Sequence, residues 1–408
     1  MLIVFKLVGA LALMIWTLNR RRNFGLAMLA GSLSLALFSN FSWEDTARIF
    51  VERLTDLSTI QLMAVVVLIN LMGYVMKKTG SLEKLVDSML EVLKDTRLVL
   101  MAIPAVIGML PVTGGAMMSA PLVVEAGDKM GLSAERQAAA NVLFRHLLCA
   151  VFPLYPALIL ARDLSGLDMS ILAKAQVLPV AVGFVFGFFF IFRGSKPEKP
   201  VERQGINTWH SLGRVFHYSS PILLAVILVM SIRINFVLAV GLAVILALTI
   251  DSKNFHQVLV RSREYILPGI DWNMGIAVAG IMVFQGFVQA TGAVDYLAVY
   301  FKEAGTPLFL LAIIFSLFTG MVTGSSLATI GILFPLFSPL VPGGLEREAL
   351  FSLLYISVVV GYMVSPIHLC LVLTKEICQA RFNRIYVYLV PPLVATLLTG
   401  ILLAVMKS

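Results

Sequence analysis

Twelve apolar windows separated by short polar stretches run the length of the chain, near residues 2–18, 25–40, 59–76, 98–126, 137–161, 171–192, 218–232, 235–250, 272–290, 306–340, 347–373 and 386–406. A helix needs about 20 apolar residues to cross a hydrocarbon core of about 30 Å, and most of these windows are near that length. Two windows, 98–126 and 306–340, are too long for one crossing, and Gly, Pro, Ser and Thr interrupt them at 110–115 and 319–326. Each predicts two half-length helices joined at a tip, a re-entrant hairpin. The pattern therefore predicts an all-α polytopic membrane protein of about 10 transmembrane helices plus two hairpins.

The two halves resemble each other in order. Residues 73–80 match 286–292, Val112-Thr113-Gly114 matches Val322-Thr323-Gly324, Glu135-Arg136-Gln137-Ala138 matches Glu346-Arg347-Glu348-Ala349, and Pro153 matches Pro366, at offsets of 210 to 213 residues. Four anchors in one order at nearly constant spacing are hard to obtain by chance. An odd number of crossings separates equivalent points, so the second copy enters the bilayer from the opposite face and the repeats have inverted topology. Repeat 1 is expected over 1–204, with scaffold spans within 2–76, an interfacial helix at 81–97, a hairpin at 98–128, a broken span at 134–164 and a span at 171–192. Repeat 2 is expected over 205–408, with scaffold spans within 218–290, an interfacial helix at 292–305, a hairpin at 306–340, a broken span at 346–374 and a span at 386–406.

Composition narrows the picture further. Hydrophobic residues make up 59% and charged residues 13% of the 408-residue chain, which excludes a water-soluble globule. The net charge of +8 lies in short clusters between apolar runs, so it reads as bilayer orientation and gives no support to nucleic-acid binding. With Arg20, Arg21 and Arg22 in the cytoplasm, 21 of the 31 Lys and Arg fall on the cytoplasmic side and 8 outside, and both termini lie outside. The Arg cluster follows the first apolar run with no small-residue cleavage site, so that run is expected to stay as a span. Cys149, Cys370 and Cys378 are scattered in apolar segments and read as small buried hydrophobes.

The interruptions carry the candidate chemistry. After each hairpin a long apolar helix should break, at Phe152 to Pro156 and at Val364 to His368, because proline removes a donor and clashes with the preceding turn. Tips and breaks should meet near the midplane, where helix N-termini offer N–H groups to an anion and loop carbonyls offer oxygens to a cation. Candidate solute-binding residues are Thr113, Gly114, Gly115 and Ser119 in the first tip, and Thr323, Gly324, Ser325 and Ser326 in the second. Tyr155 and His368 join them two residues after the equivalent prolines, and Arg145 lies about 16 Å deep in its helix. Arg145 either binds an anion or pairs with Glu125. Asn141 and His146 beside it are weaker candidates. No carboxylate falls in a tip or break, which favours Na⁺ as coupling ion, held at Thr113, Gly114, Pro153, Thr323, Ser325 and Ser365. His368 is the remaining proton route.

This order of spans, interfacial helix, hairpin and broken span, repeated inverted, resembles the ion transporter superfamily, which includes divalent anion/sodium symporters, gluconate permeases, arsenite and citrate carriers, and membrane subunits of tripartite carboxylate uptake systems. The run from Pro111 to Pro121 also resembles an uncharacterised prokaryotic membrane family near that superfamily. The resemblance implies a homodimer in a prokaryotic cytoplasmic membrane, its transport domains moving like an elevator against a scaffold. The expected function is Na⁺-coupled transport of a small anion, an organic carboxylate first. H⁺-coupled export, or a partner-dependent transport subunit, is the alternative. No catalytic constellation, cofactor or resident metal is expected, Na⁺ apart: HExxH, paired membrane aspartates and Ser/His motif spacing are all missing from the sequence.

Overall fold

Apolar segments of this length satisfy their backbone groups internally only as helices, and the computed structural model is all-helical over its described residues, 2–19, 24–93, 95–109, 115–195, 208–292, 307–341 and 343–407. Four helices open the chain: α1 (Leu2–Asn19), α2 (Phe24–Phe38), α3 (Trp43–Thr55) and α4 (Leu57–Lys78). The short α5 (Ser81–Val92) leads into the first hairpin, α6 (Thr96–Met109) and α7 (Gly115–Lys129). The first broken span is α8 (Ala134–Cys149) and α9 (Pro156–Ser165), followed by α10 (Met169–Phe192). In the second half come α11 (Thr208–Met230), α12 (Phe236–Thr249), α13 (Phe255–Gly269) and α14 (Trp272–Ala290). The second hairpin is α15 (Leu308–Thr323) and α16 (Ser326–Phe337), the second broken span α17 (Gly344–Met363) and α18 (Leu369–Cys378), and α19 (Phe382–Val405) ends the chain. Five of these, α4, α10, α11, α14 and α19, are long and apolar enough to cross a membrane, and α2, α6, α12, α15 and α16 are shorter apolar helices. The protein is thus a helical, multi-pass membrane type.

The last two helices of each half have equal lengths. The second pieces of both broken spans have 10 residues, and the helices after them have 24. Each hairpin's first arm packs on the first piece of its own broken span, α6 on α8 and α15 on α17. Each second arm crosses to the other half, α7 on α18 and α16 on α9. The long helices α10 and α19 lie against each other. Small residues set these close approaches: a Cβ on Gly361 would stand 2.8 Å from the Ser316 carbonyl oxygen, and one on Gly320 would stand 2.8 Å from the Tyr362 nitrogen.

Two expected boundaries move, and a third lies outside the described residues. The interfacial helix expected at 81–97 ends at Val92, because Leu93 turns extended and the Asp95 carboxylate accepts the Arg97 backbone N–H at 2.8 Å where α6 begins. The scaffold region 218–290 begins its first helix earlier, at Thr208, and holds an extra helix, α13, started by Asn254, whose side chain accepts the Gln257 N–H at 2.9 Å. The second interfacial helix expected at 292–305 falls almost wholly outside the described residues, as do the Arg20 cluster and most of the interhalf linker.

The helix α5 is tied to the second half by polar contacts. Lys84 Nζ donates to Asp251 Oδ2 at 2.6 Å, and Glu91 accepts from Ser211 Oγ at 2.5 Å and from Arg214. The hydrogen bond from Lys84 holds the Asp251 carboxyl below its ordinary range and raises the Lys84 ammonium above its own. Asp251 therefore contributes stability above the ordinary carboxylate range and loses it as pH falls through its lowered value, while Lys84 contributes below the ordinary lysine range and loses it as pH rises through its raised value.

Two measurements follow from this packing. Asp251→Asn is expected to cost under about 1 kcal/mol at neutral pH and nothing at high salt, since both side chains are partly exposed; hydrogen exchange of α5 with and without salt reads this out. Gly361→Val should overpack the α15–α17 crossing by about 1–3 kcal/mol, whereas Gly241→Ala, with nothing within 4 Å of the added Cβ, should leave thermal unfolding in detergent unchanged or slightly raised.

Candidate functional site

Each broken span stops for a physical reason visible in its sequence. Between α8 and α9 the chain passes through Pro153, and Pro156 starts α9, its missing donor being one that a first-turn residue does not use. Between α17 and α18 the chain turns at Ser365 and Pro366, and His368 is the residue before α18. Tyr155 and His368 thus stand at matching places, each immediately before a half-helix N-terminus.

The second tip seats on these breaks. Thr323 ends α15, Gly324 takes the left-handed conformation at φ 63°, and the Ser325 hydroxyl accepts the Ala328 N–H at 3.3 Å to start α16. Gly324 lies so close to the second break that a Cβ there would be 3.0 Å from the Ile367 side chain and 3.1 Å from the His368 nitrogen. From that break the Ser365 hydroxyl donates to the Met321 carbonyl at 2.6 Å. The first break meets the same tip, with the Tyr155 and Ser326 hydroxyls 3.1 Å apart. Within the tip, Thr323 Oγ1 and Thr329 Oγ1 are 2.8 Å apart, and Thr329 donates to the Ser325 carbonyl at 2.7 Å. Ser119 is buried and donates to the Gly115 carbonyl of its own helix at 3.3 Å. Thr113 and Gly114 lie outside the described residues.

Arg145 occupies the heart of this arrangement. It is 5% exposed on α8, and its side chain runs between the arms of the first hairpin. A Cβ on Gly108 of α6 would be 2.7 Å from Arg145 Cγ, and one on Gly115, the first residue of α7, would overlap Nη2 and stand 3.0 Å from Cζ. The pairing with Glu125 does not form: Glu125 is exposed and accepts from Lys129 at 3.0 Å. Arg145 has no carboxylate partner among the described residues, and its Nη1 is buried without a hydrogen bond. A guanidinium without a carboxylate partner among the described residues is therefore packed against the first described residue of α7 in a desolvated place, an arrangement that an anion there would relieve.

Next to it stands a group of polar rings. The His146 and His368 rings are 4.6 Å apart, and Tyr362 stacks edgewise on both at 5.5 and 5.1 Å. Both His146 nitrogens, His368 Nδ1 and the Tyr355 hydroxyl are buried without hydrogen-bond partners. His146 thus belongs to the centre more firmly than its sequence context suggests, while Asn141 is engaged by a hydrogen bond to Thr374 Oγ1 at 2.8 Å. Cys370, one residue into α18, lies among these groups, and only the near pair His368 and Cys370 hints at it in the sequence. A separate cavity of about 390 Å³, lined by Gln61, Arg162, Asp163, Asp168 and Arg233, lies apart from this centre.

The second tip, both breaks and a buried cation therefore converge from both halves, beside polar atoms of Arg145, His146 and His368 that have no hydrogen-bond partner. No curated protein matches the chain. A family model described as a protein of unknown function, DUF401, matches residues 4–406, and the chain belongs to that family.

Proposed function

We propose that this protein is a secondary active transporter that carries a small anionic solute, an organic carboxylate first, through the centre formed by the tips and breaks. The observation that carries the reading is Arg145, buried, without a carboxylate partner among the described residues and set against the first described residue of α7. A buried unpaired charge is costly enough that its persistence points to a ligand. Such a carrier shares the helix order of the ion transporter superfamily and works in a prokaryotic cytoplasmic membrane as an elevator-type homodimer with inverted repeats and both termini outside. The sidedness is supported by long-range polar contacts: Arg136 with the Arg193 carbonyl, Lys84 with Asp251, Arg53 with Gln289, and Arg347 with the Ser165 carbonyl each join positions assigned to one side.

Coupling to Na⁺ is part of the same proposal. The oxygens of the second tip and break, from Thr323, Ser325 and Ser365, are neutral donors of the kind a hard cation accepts. The paired imidazoles of His146 and His368 favour proton coupling as the second reading, since histidine is the group at this centre that can load a proton.

Purified protein in proteoliposomes tests this. Uptake of labelled carboxylates should rise with an inward Na⁺ gradient, and uptake indifferent to both Na⁺ and pH gradients defeats the proposal. Arg145→Gln should weaken carboxylate uptake by roughly 10- to 150-fold, the loss of a charged hydrogen bond worth about 1.5–3 kcal/mol, while thermal unfolding shows the variant folded. Under proton coupling, His368→Gln should abolish the pH dependence of uptake; an unchanged pH profile leaves Na⁺ as the driver.

A further inference from the structure

The anion reading uses Arg145, which also hydrogen-bonds the Cys370 thiol, and leaves the adjacent imidazoles unaccounted for. His146 on α8, His368 before α18 and Cys370 within its first turn each present a ligand atom, and all three atoms lie within 4.8 Å of one another. Both histidines are buried, and both His146 nitrogens and His368 Nδ1 have no hydrogen-bond partner. The other thiol nearby is occupied: Cys149 Sγ is 3.1 Å from the carbonyls of Gly108 and Arg145. We infer that His146, His368 and Cys370 form a binding site for one soft monovalent metal ion of the Cu⁺ or Ag⁺ type.

Ligand chemistry and charge both select that class. Thiolate with imidazole is a soft donor set suited to Cu⁺. Metal–nitrogen and metal–sulfur bonds of about 2.0–2.3 Å bring ligand atoms within about 3.3–4 Å of each other, so closure from the observed spacing takes a shift of about 1 Å. Binding is an exchange in which the Cys370 S–H bond breaks, a sulfur–metal bond forms and the proton leaves to solvent. A monovalent ion that replaces that proton leaves the buried charge unchanged, whereas a divalent ion adds a full positive charge beside Arg145. The site draws on both halves of the chain, His146 from one and His368 and Cys370 from the other, so it exists only in the folded protein. It does not depend on the transport reading.

The test is a Cu⁺ titration of the purified, detergent-solubilised full chain under reducing, anaerobic conditions against a colorimetric Cu⁺ chelator, with no transport substrate present. One ion per chain is expected, with about one proton released. Cys370→Ser, which keeps side-chain size, should lower affinity roughly 100-fold, and His146→Gln should lower it as well, while Cys378→Ser, a position eight residues along α18, should not. X-ray absorption of the Cu⁺-loaded wild type should show one sulfur and two nitrogen ligands, which decides the matter even where a variant does not fold. A copper shell without sulfur, or Cu⁺ affinity equal in wild type and Cys370→Ser, overturns the site. Zn²⁺ bound as tightly as Cu⁺ overturns the monovalent assignment.

Discussion

A bilayer leaves no water to answer an exposed N–H or carbonyl, so a membrane helix that breaks must bury its broken ends in protein. This chain breaks two long helices, and the constraint sets the rest of the architecture. Each break is covered by the second arm of the hairpin from the other half, α16 over α9 and α7 over α18, and tied by contacts such as Tyr155 with Ser326. Each half also contributes to its own break: in the second, the Ser365 hydroxyl donates to the Met321 carbonyl at 2.6 Å and the Tyr386 hydroxyl to the Val364 carbonyl at 3.0 Å. The two halves thus pack across each other at the breaks, and the second tip meets Tyr155 and His368, the residues that precede the two half-helix N-termini.

Close approach is the second ingredient, and small residues provide it. Gly108 and Gly115 admit the Arg145 side chain between the arms of the first hairpin, while Gly324 lets the second tip rest on the backbone of His368. Any larger side chain at Gly115 would push the guanidinium away from the start of α7. The outcome is a desolvated centre rich in donors and poor in carboxylates. In such surroundings electrostatic interactions are strong, so an unanswered charge is also a strong attraction for whatever ligand completes it.

Much of this was legible in the sequence. The long interrupted windows at 98–126 and 306–340 became paired helices, and both proline breaks fell where proline geometry places them. The extra helix α13 was hidden because Arg261, Arg263 and Glu264 interrupt its short apolar runs as in a surface connector, and its start rests on one Asn254 cap. The helix at 81–97 was drawn too long because its apolar stripe continues to Leu93, while its end is a local turn of Leu93 into the extended conformation and Asp95 caps the start of α6. His146 and Cys370 were undervalued because nothing in either segment says that positions more than two hundred residues apart will touch.

The sequence by itself determined the solvent this protein lives in, the helical class and the places where helices stop, because each depends on composition or on local backbone chemistry. Tertiary packing alone decided that Arg145 stands away from Glu125 and has no carboxylate partner among the described residues, and that two imidazoles and a thiol from different halves stand together. Those outcomes depend on which helix faces meet, and hydrocarbon accepts many arrangements of equally apolar helices; small residues and buried polar ends choose among them.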